Sequence, residues 1–305
     1  MRGATTPAIV VHGGAGTYLA EHHEGAVAGV LAAARRAQAL LLGGASAEDA
    51  AVAAIRLLED DPIFNAGRGA CLTEAGEVEV DAGIMRSRDR RSGAVAGLRD
   101  CRDPILVARR VMEATRHALL VGDGAESFAR AQGVGSFGRA EVATRKAVER
   151  WRRAKAGEEP LDNRADTVGA VALDAQGHLC AAGSTGGVLY KMPGRVGDTP
   201  LVGAGFFADP VLGACCCTGV GEAIMTRVLA YAALREAAGE PARAQAIAAR
   251  LCEETSAGSG GAAVGLILLR PDGVAAIANR SDHMSWALAR GDAPPTGGLT
   301  SSGAA

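Results

Sequence analysis

Aromatic side chains are scarce in this chain, at 3% of 305 residues, so a core must be filled by small aliphatic groups. The 42 glycines fit that economy, because small residues let strands and helices approach closely. A block of charge of one sign is also missing. With 32 basic and 34 acidic residues the net charge is −2, which leaves no footprint for a polyanion and makes nucleic acid an unexpected partner. No apolar run approaches the roughly 18 residues of a membrane span, and the N-terminal one is too short for a signal segment. The expectation is a cytoplasmic protein with no membrane partner. Seven cysteines include no C-x-x-C pair, and three of them are adjacent at Cys215, Cys216 and Cys217. Neither a disulfide framework nor a zinc-ligand spacing results, so buried thiols in a reducing compartment are expected. No solenoid period is visible. What is present, 48% hydrophobic and 22% charged residues, suffices for a sizeable core in one large domain or two small ones.

Along the chain, "AIVVHGGAG" predicts a buried strand ending in a turn at Gly13 and Gly14. Two helical patterns follow, over 24–42 and then from the capping-box spacing of Ser46 and Asp49 to Pro62. "GEVEVDAGIM" and "SGAVAGL" read as strands, followed by a helix over 104–115, an apolar strand "HALLVG" and a helix near "GAESFARAQG". Residues 141–166 are highly charged with little apolar periodicity, the composition of a linker. Beyond it, "TVGAVALD" and "HLCAAGS" read as a hairpin of buried strands, and "PLVGAG" and "GACCCTG" as further strands. Helices over 221–238 and 241–256 lead to the strands "AVGLILLR" and "GVAAIAN", and the tail "PPTGGLTSSGAA" reads as disordered. Each half supplies mostly antiparallel strands and at least two helices, so the pattern predicts an α+β fold with helices covering two packed sheets.

Thr167 stands where the charged stretch meets a buried strand. A β-branched residue commonly starts a strand, and that alone would explain it. If the backbone opens between Asp166 and Thr167, however, the threonine hydroxyl acquires its own α-amine as a base, a recognised way of activating a weak nucleophile. The amine's reference pKa of about 7.7 to 8 suits proton transfer near neutrality. None of the six histidines sits in a serine-hydrolase motif.

Five segments, "FNAGRGACLTEAGEVEVDAGIM", "DTVGAVALD", "STGG", "PGRVGDTPLVGAG" and "CTGVGE", occur in an order and spacing that resemble the plant-type asparaginase and isoaspartyl peptidase family of N-terminal nucleophile hydrolases. The resemblance covers nearly the whole chain. It implies a four-layer αββα sandwich and a precursor that cleaves itself between Asp166 and Thr167 into an α subunit, 1–166, and a β subunit, 167–305, within one structural domain. It also implies a homodimer of such cleaved units, acting on L-asparagine and β-aspartyl dipeptides with no catalytic cofactor.

The family's residues carry over one by one. Thr185 of "STGG" could simply end a strand, but by resemblance it orients Thr167. Arg195 and Asp198 could form a surface ion pair; by resemblance they hold the α-carboxylate and α-ammonium of the substrate, for which a guanidinium fork beside an anion is suited. Thr218 and Gly219 could cap a helix; the family uses them for the oxyanion, and with Gly221 they line the substrate. "FNAGRG" is adequately explained as a tight loop. The resemblance implies that it places Asn65 near the nucleophile and wraps a structural sodium ion in the main-chain carbonyls of Leu58, Glu59, Asp61, Phe64, Ala66 and Arg68, donors that suit a hard cation. His12, Gly13 and Gly14 read as packing beside the site. Asp166, where many relatives carry Gly, is a feature of the glycosylasparaginase branch, whereas "NAGRG" and "PGRVGD" favour the isoaspartyl branch. His283 replaces the usual Gly before Met284, with Trp286 following. A taspase-like endopeptidase and a non-cleaving amino-acid-binding member are the other readings.

Overall fold

The computed structural model describes residues 5–158 and 167–300. The first apolar run forms β1 (Ala8–Gly16), buried throughout, as a strand covered on both faces must be. It does not end at the paired glycines. The strand continues through an irregularity between His12 and Ala15, because Gly14 takes φ 118° and Gly13 packs where a Cβ would meet the Phe64 ring at 2.3 Å. Helices α1 (His23–Leu42) and α2 (Ala47–Asp60) follow, the second capped by Ser46, which accepts from the Asp49 N–H at 3.2 Å. Then come β2 (Glu79–Arg86), β3 (Ser92–Arg99), α3 (Pro104–Ala114), β4 (Leu119–Val121) and α4 (Gly122–Ala131).

Four departures from the sequence pattern have physical causes. The charged stretch contains α5 (Arg139–Val142) and α6 (Arg145–Lys155) instead of a structureless linker up to residue 158; its last residues, 159–166, lie outside the described ones. Ala147, Trp151 and Ala154 recur at helical spacing and pack inward, with Trp151 lying where a side chain on Gly76 would stand. The predicted helix over 221–238 breaks into α7 (Gly221–Arg227) and α8 (Leu229–Gly239) at Val228, which is left-handed. There the N–H groups of Ala230 and Tyr231 donate to the carbonyls of Ala204 and Gly203. Those carbonyls belong to a loop, so "PLVGAG" is not a strand; pairing begins with β7 (Phe206–Asp209). The tail pairs as well, Thr296–Thr300 forming β12 along β11 (His283–Arg290).

The remaining elements are β5 (Thr167–Leu173), β6 (Leu179–Thr185), β8 (Gly213–Gly219), α9 (Ala244–Ala257), β9 (Val264–Leu269) and β10 (Ala275–Arg280). An eight-stranded sheet runs β12-β11-β1-β5-β6-β2-β3-β4, antiparallel except for the parallel β3–β4 pair, and a four-stranded sheet runs β10-β9-β8-β7. Strands from both sides of Thr167 alternate in the larger sheet. Helices α1, α2 and α3 cover its outer face, α8 and α9 cover the smaller sheet, and a third apolar layer lies between the sheets. This is an αββα sandwich. Phe206, fully buried in the middle layer, rests its ring on Gly83, whose missing side chain makes the room.

Residues Ala20–Leu42 are, by length and composition, apolar enough for a membrane span, which the sequence expectation had not allowed. The stripe Ala26, Val30, Ala33, Ala37 and Leu41 is buried in the core layer under the larger sheet.

Candidate active site

Strand alternation decides where the candidate threonines point. On β5, Val168, Ala170 and Ala172 join the helix-facing core, while Val171 and Leu173 join the layer between the sheets. Thr167 has the parity of the second set. The same count on β6 puts Thr185 with Leu179 and Ala181, and on β8 it puts Thr218 with Ala214 and Cys216. Three threonines from two sheets therefore converge at one end of the inter-sheet layer, all buried.

Their hydrogen bonds form a chain. The Thr167 hydroxyl donates to Thr185 Oγ1 at 3.0 Å, which also accepts the Gly187 N–H at 3.0 Å. The Thr167 main-chain N–H donates to Thr218 Oγ1 at 3.3 Å, an oxygen shared with the Ala15 N–H at 3.1 Å. Thr218 is thus no helix cap; Val220 holds the N-cap position of α7. Gly219 adopts φ 123° with its α-carbon pressed on the Ala263 carbonyl, where a Cβ would come within 2.1 Å. Any side chain there would force the strands apart.

Asn65 does not hydrogen-bond to Thr167. Its Nδ2 donates to the Gly187 carbonyl at 2.6 Å, its Oδ1 accepts the Cys71 N–H at 2.8 Å, and its carbonyl accepts the Gly186 N–H at 2.8 Å. It ties the 64–71 loop to the turn after Thr185. His12, of the same inward parity on β1, is fully buried behind Gly169 and burial pushes its pKa down to about 3, so the ring is neutral packing. Trp286 pairs in register with His12, and His283 lies 4.6 Å from the His23 ring at the strand's beginning. Asp166 lies outside the described residues.

Arg195 and Asp198 do not pair with each other. Arg195 grips Glu222 through Nε at 2.9 Å and Nη2 at 2.7 Å, and the guanidinium holds the Glu222 carboxyl below its ordinary range. Its Nη1 points toward Gly187 and Gly197. Asp198 is buried, its Oδ2 has no hydrogen-bond partner among the described residues, and burial raises its pKa to about 7. A surface ion pair would show neither feature. Gly221 completes this corner, since a Cβ there would lie 3.0 Å from Asp198 Oδ1.

The loop after α2 presents carbonyl oxygens. Pro62 has no N–H to offer Leu58, and the Ile63 N–H that would serve Glu59 donates to Asp61 Oδ1 at 3.0 Å. Gly67 and Gly69 admit the Glu59 and Phe64 carbonyls to within 2.6 and 1.8 Å of where their Cβ atoms would stand. Freed carbonyls at the negative end of a helix fit a hard monovalent cation.

Against this geometry, the family model described as "Asparaginase" matches residues 5–297. The chain belongs to that family. Among its asparaginase-family relatives, the isoaspartyl peptidase/L-asparaginase of Danio rerio is 42% identical over 290 residues, 93% of this chain and 92% of its own. The plant-type L-asparaginase of Pyrococcus abyssi is 41% identical over 296 residues, 92% of this chain and 95% of its own. The isoaspartyl peptidase of Salmonella typhimurium is 43% identical over 268 residues, 83% of this chain and 84% of its own.

Three residues of this asparaginase-family site went unassigned in the sequence. Glu222 and Asp81 stood in quoted motifs without a role, and Lys191 lay between two of those motifs; of the three, Asp81 and Lys191 are the buried ones. The signal was a lone lysine between apolar residues and a glycine turn, too weak to separate from a solvated one.

Proposed function

We propose that this asparaginase-family protein is a self-cleaving amidohydrolase that releases aspartate from L-asparagine and β-aspartyl dipeptides. The observation that carries the reading is the convergence of Thr167, Thr185 and Thr218 between the sheets, with a buried carboxyl at Asp198 whose Oδ2 has no hydrogen-bond partner among the described residues. Thr167 Oγ1 attacks the side-chain carbonyl. Its proton passes to the α-amine freed by cleavage after Asp166, and the developing oxyanion rests on Thr218 and Gly219, where losing one donor typically costs about 2.7 to 4 kcal/mol in barrier. The leaving amine takes that proton from the Thr167 α-amine, and the regenerated α-amine then deprotonates the water that resolves the ester to aspartate.

Arg195 and Asp198 hold the two α-groups of the aspartyl unit, so the reactive carbonyl must be one methylene away. A cavity of about 400 Å³ with Asn65, Cys71, Tyr18, Ile63, Leu189 and Arg150 in its wall is the space this reading assigns to a leaving amino acid. β-Aspartyl-leucine is therefore expected to be hydrolysed, L-asparagine with a higher KM, and L-glutamine poorly. α-Aspartyl-leucine, lacking the free α-carboxylate, should fail, because a site built to bind that group loses its charge-assisted hydrogen bonds and gains nothing in return. Aspartate or ammonia release at matched concentrations checks this; equal rates for the two dipeptides would overturn it.

The main-chain carbonyls of Leu58, Glu59, Asp61, Phe64, Ala66 and Arg68 would hold a sodium ion that braces the Asn65 loop and takes no part in the chemistry. Replacing sodium by choline is then expected to lower the melting temperature in a concentration-dependent way. A midpoint indifferent to a sodium titration argues against the ion. Family resemblance supports one further point, a homodimer of cleaved units, which sedimentation of the processed protein tests; action in the cytoplasm, expected from the sequence pattern, is tested by fractionation of its host.

A further inference from the structure

Lys191 is 3% exposed, yet the function above gives it nothing to do. Its ammonium donates to the Glu79 carbonyl at 2.9 Å. Around it, the Gly194 N–H donates to Glu79 Oε2 at 2.8 Å and the Glu74 N–H to the Lys191 carbonyl at 2.8 Å, so the segment leading to Arg195 is fastened to β2. The decisive geometry is at Gly187. A Cβ built there would lie 3.0 Å from Lys191 Nζ and 3.2 Å from Arg195 Nη1, so two cations converge on one small volume. That volume is next to the nucleophile, since the Gly187 N–H donates to Thr185 Oγ1. Gly187 takes φ 77°, which further restricts the position to glycine.

Two cations, Lys191 buried and Arg195 half-buried, face one space and call for anions. Asp81 supplies part of the balance: it stands opposite Thr185 in the β2–β6 register, accepts the Gly97 N–H through Oδ1 at 2.8 Å, and keeps Oδ2 without a hydrogen-bond partner. Burial pulls the Lys191 pKa below its ordinary value, and the Asp81 and Glu79 carboxylates oppose that by favouring the charged ammonium. Arg195 is already neutralised on its outer edge by Glu222. The inner edge of Arg195 and the ammonium of Lys191 remain directed at the same place.

We propose that Lys191 is a specificity-determining residue that joins Arg195 in a two-cation seat for the α-carboxylate of the aspartyl unit. This rests on the aspartyl-binding reading of the site. Of the common amino acids with a β-carboxyl group, only those retaining an α-carboxylate engage both cations.

Binding to the processed protein separates this role from a structural one. L-Aspartate and β-alanine, which is aspartate without its α-carboxylate, are titrated calorimetrically into wild type, Lys191→Met and Lys191→Arg. Lys191→Met is expected to weaken L-aspartate about tenfold or more while leaving β-alanine within about two-fold, and Lys191→Arg to recover most of the loss. In turnover of β-aspartyl-leucine the Met variant should raise KM more than it lowers kcat. Equal weakening of both ligands, or a fall in kcat alone, would overturn the proposal. Should Lys191→Met not mature, Lys191→Gln, which removes the charge but can still donate to the Glu79 carbonyl, is read by the same two criteria. Failure of wild type to bind L-aspartate at all would instead remove the aspartyl-binding reading beneath it.

Discussion

Thr167→Ala is expected to stay one unbroken chain and to release no aspartate from β-aspartyl-leucine. The hydroxyl has two tasks. In the precursor it attacks the Asp166 carbonyl, converting the amide to an ester that water opens; in the mature protein it attacks substrate. Thr185 is 3.0 Å from that oxygen and Thr218 takes the adjoining N–H, so the neighbours remain in place when the methyl of alanine replaces the side chain. Only the nucleophile is lost, and removing a hydrolase nucleophile costs on the order of a million-fold in kcat. Thr167→Ser keeps the oxygen and should retain part of both activities. Intact-mass spectrometry and aspartate release are the measurements. Two fragments meeting at residue 167 in the alanine variant would contradict the mechanism, whereas a wild type that never cleaves would favour the amino-acid-binding alternative.

Asp198→Asn should abolish binding of the substrate ammonium yet leave the protein more stable above neutral pH. The carboxyl is buried with one oxygen unpartnered, and burial raises its pKa to about 7. The sign follows from proton counting. Between its ordinary carboxylate range and about pH 7 the folded state holds a proton that the unfolded state has released, so stability falls as pH rises across that window. Above it, the folded protein carries a buried, unpaired anion, which asparagine does not. Each kcal/mol so recovered raises the midpoint by roughly 2 to 4 °C in a chain of this size. For function the direction reverses: an ionised Asp198 is what receives the ammonium, so KM should rise as pH drops below about 7. Arg195→Ala, which strands both Glu222 and the substrate carboxylate, should cost about 2 to 5 kcal/mol in kcat/KM without the gain in stability. Unchanged kinetics in either variant, measured on cleaved protein, would remove that residue from the substrate site.

The opposition between stability and binding expected at Asp198 is disclosed by no sequence pattern. "PGRVGD" shows a cation and an anion in a glycine-bounded turn, and the plain expectation is that they neutralise each other. In the fold they face different partners, because Gly221 lets Asp198 sink beneath the start of α7 while Arg195 turns outward to Glu222. The charged stretch illustrates the opposite error. Ala147, Trp151 and Ala154 had helical spacing, but the surrounding arginines and lysines obscured a face that needs only three small contacts to dock. The tail "PTGGLT" looked disordered because its glycines give a strand no side chains to pack, and pairing along β11 supplies the order instead.

The order of motifs, the buried strand beginning at Thr167 and the residue types suited to acyl transfer were determined by the sequence alone, since each rests on local chemistry or on period-two and period-3.6 patterning. Only the tertiary structure decided that Thr167, Thr185 and Thr218 share one space, that Asn65 supports the turn instead of touching the nucleophile, and that Lys191 lies buried beside Arg195. Those outcomes depend on the register of β5, β6 and β2 and on two sheets closing over each other. A one-residue slip would send each threonine to the opposite face, and no local pattern specifies which strands become neighbours.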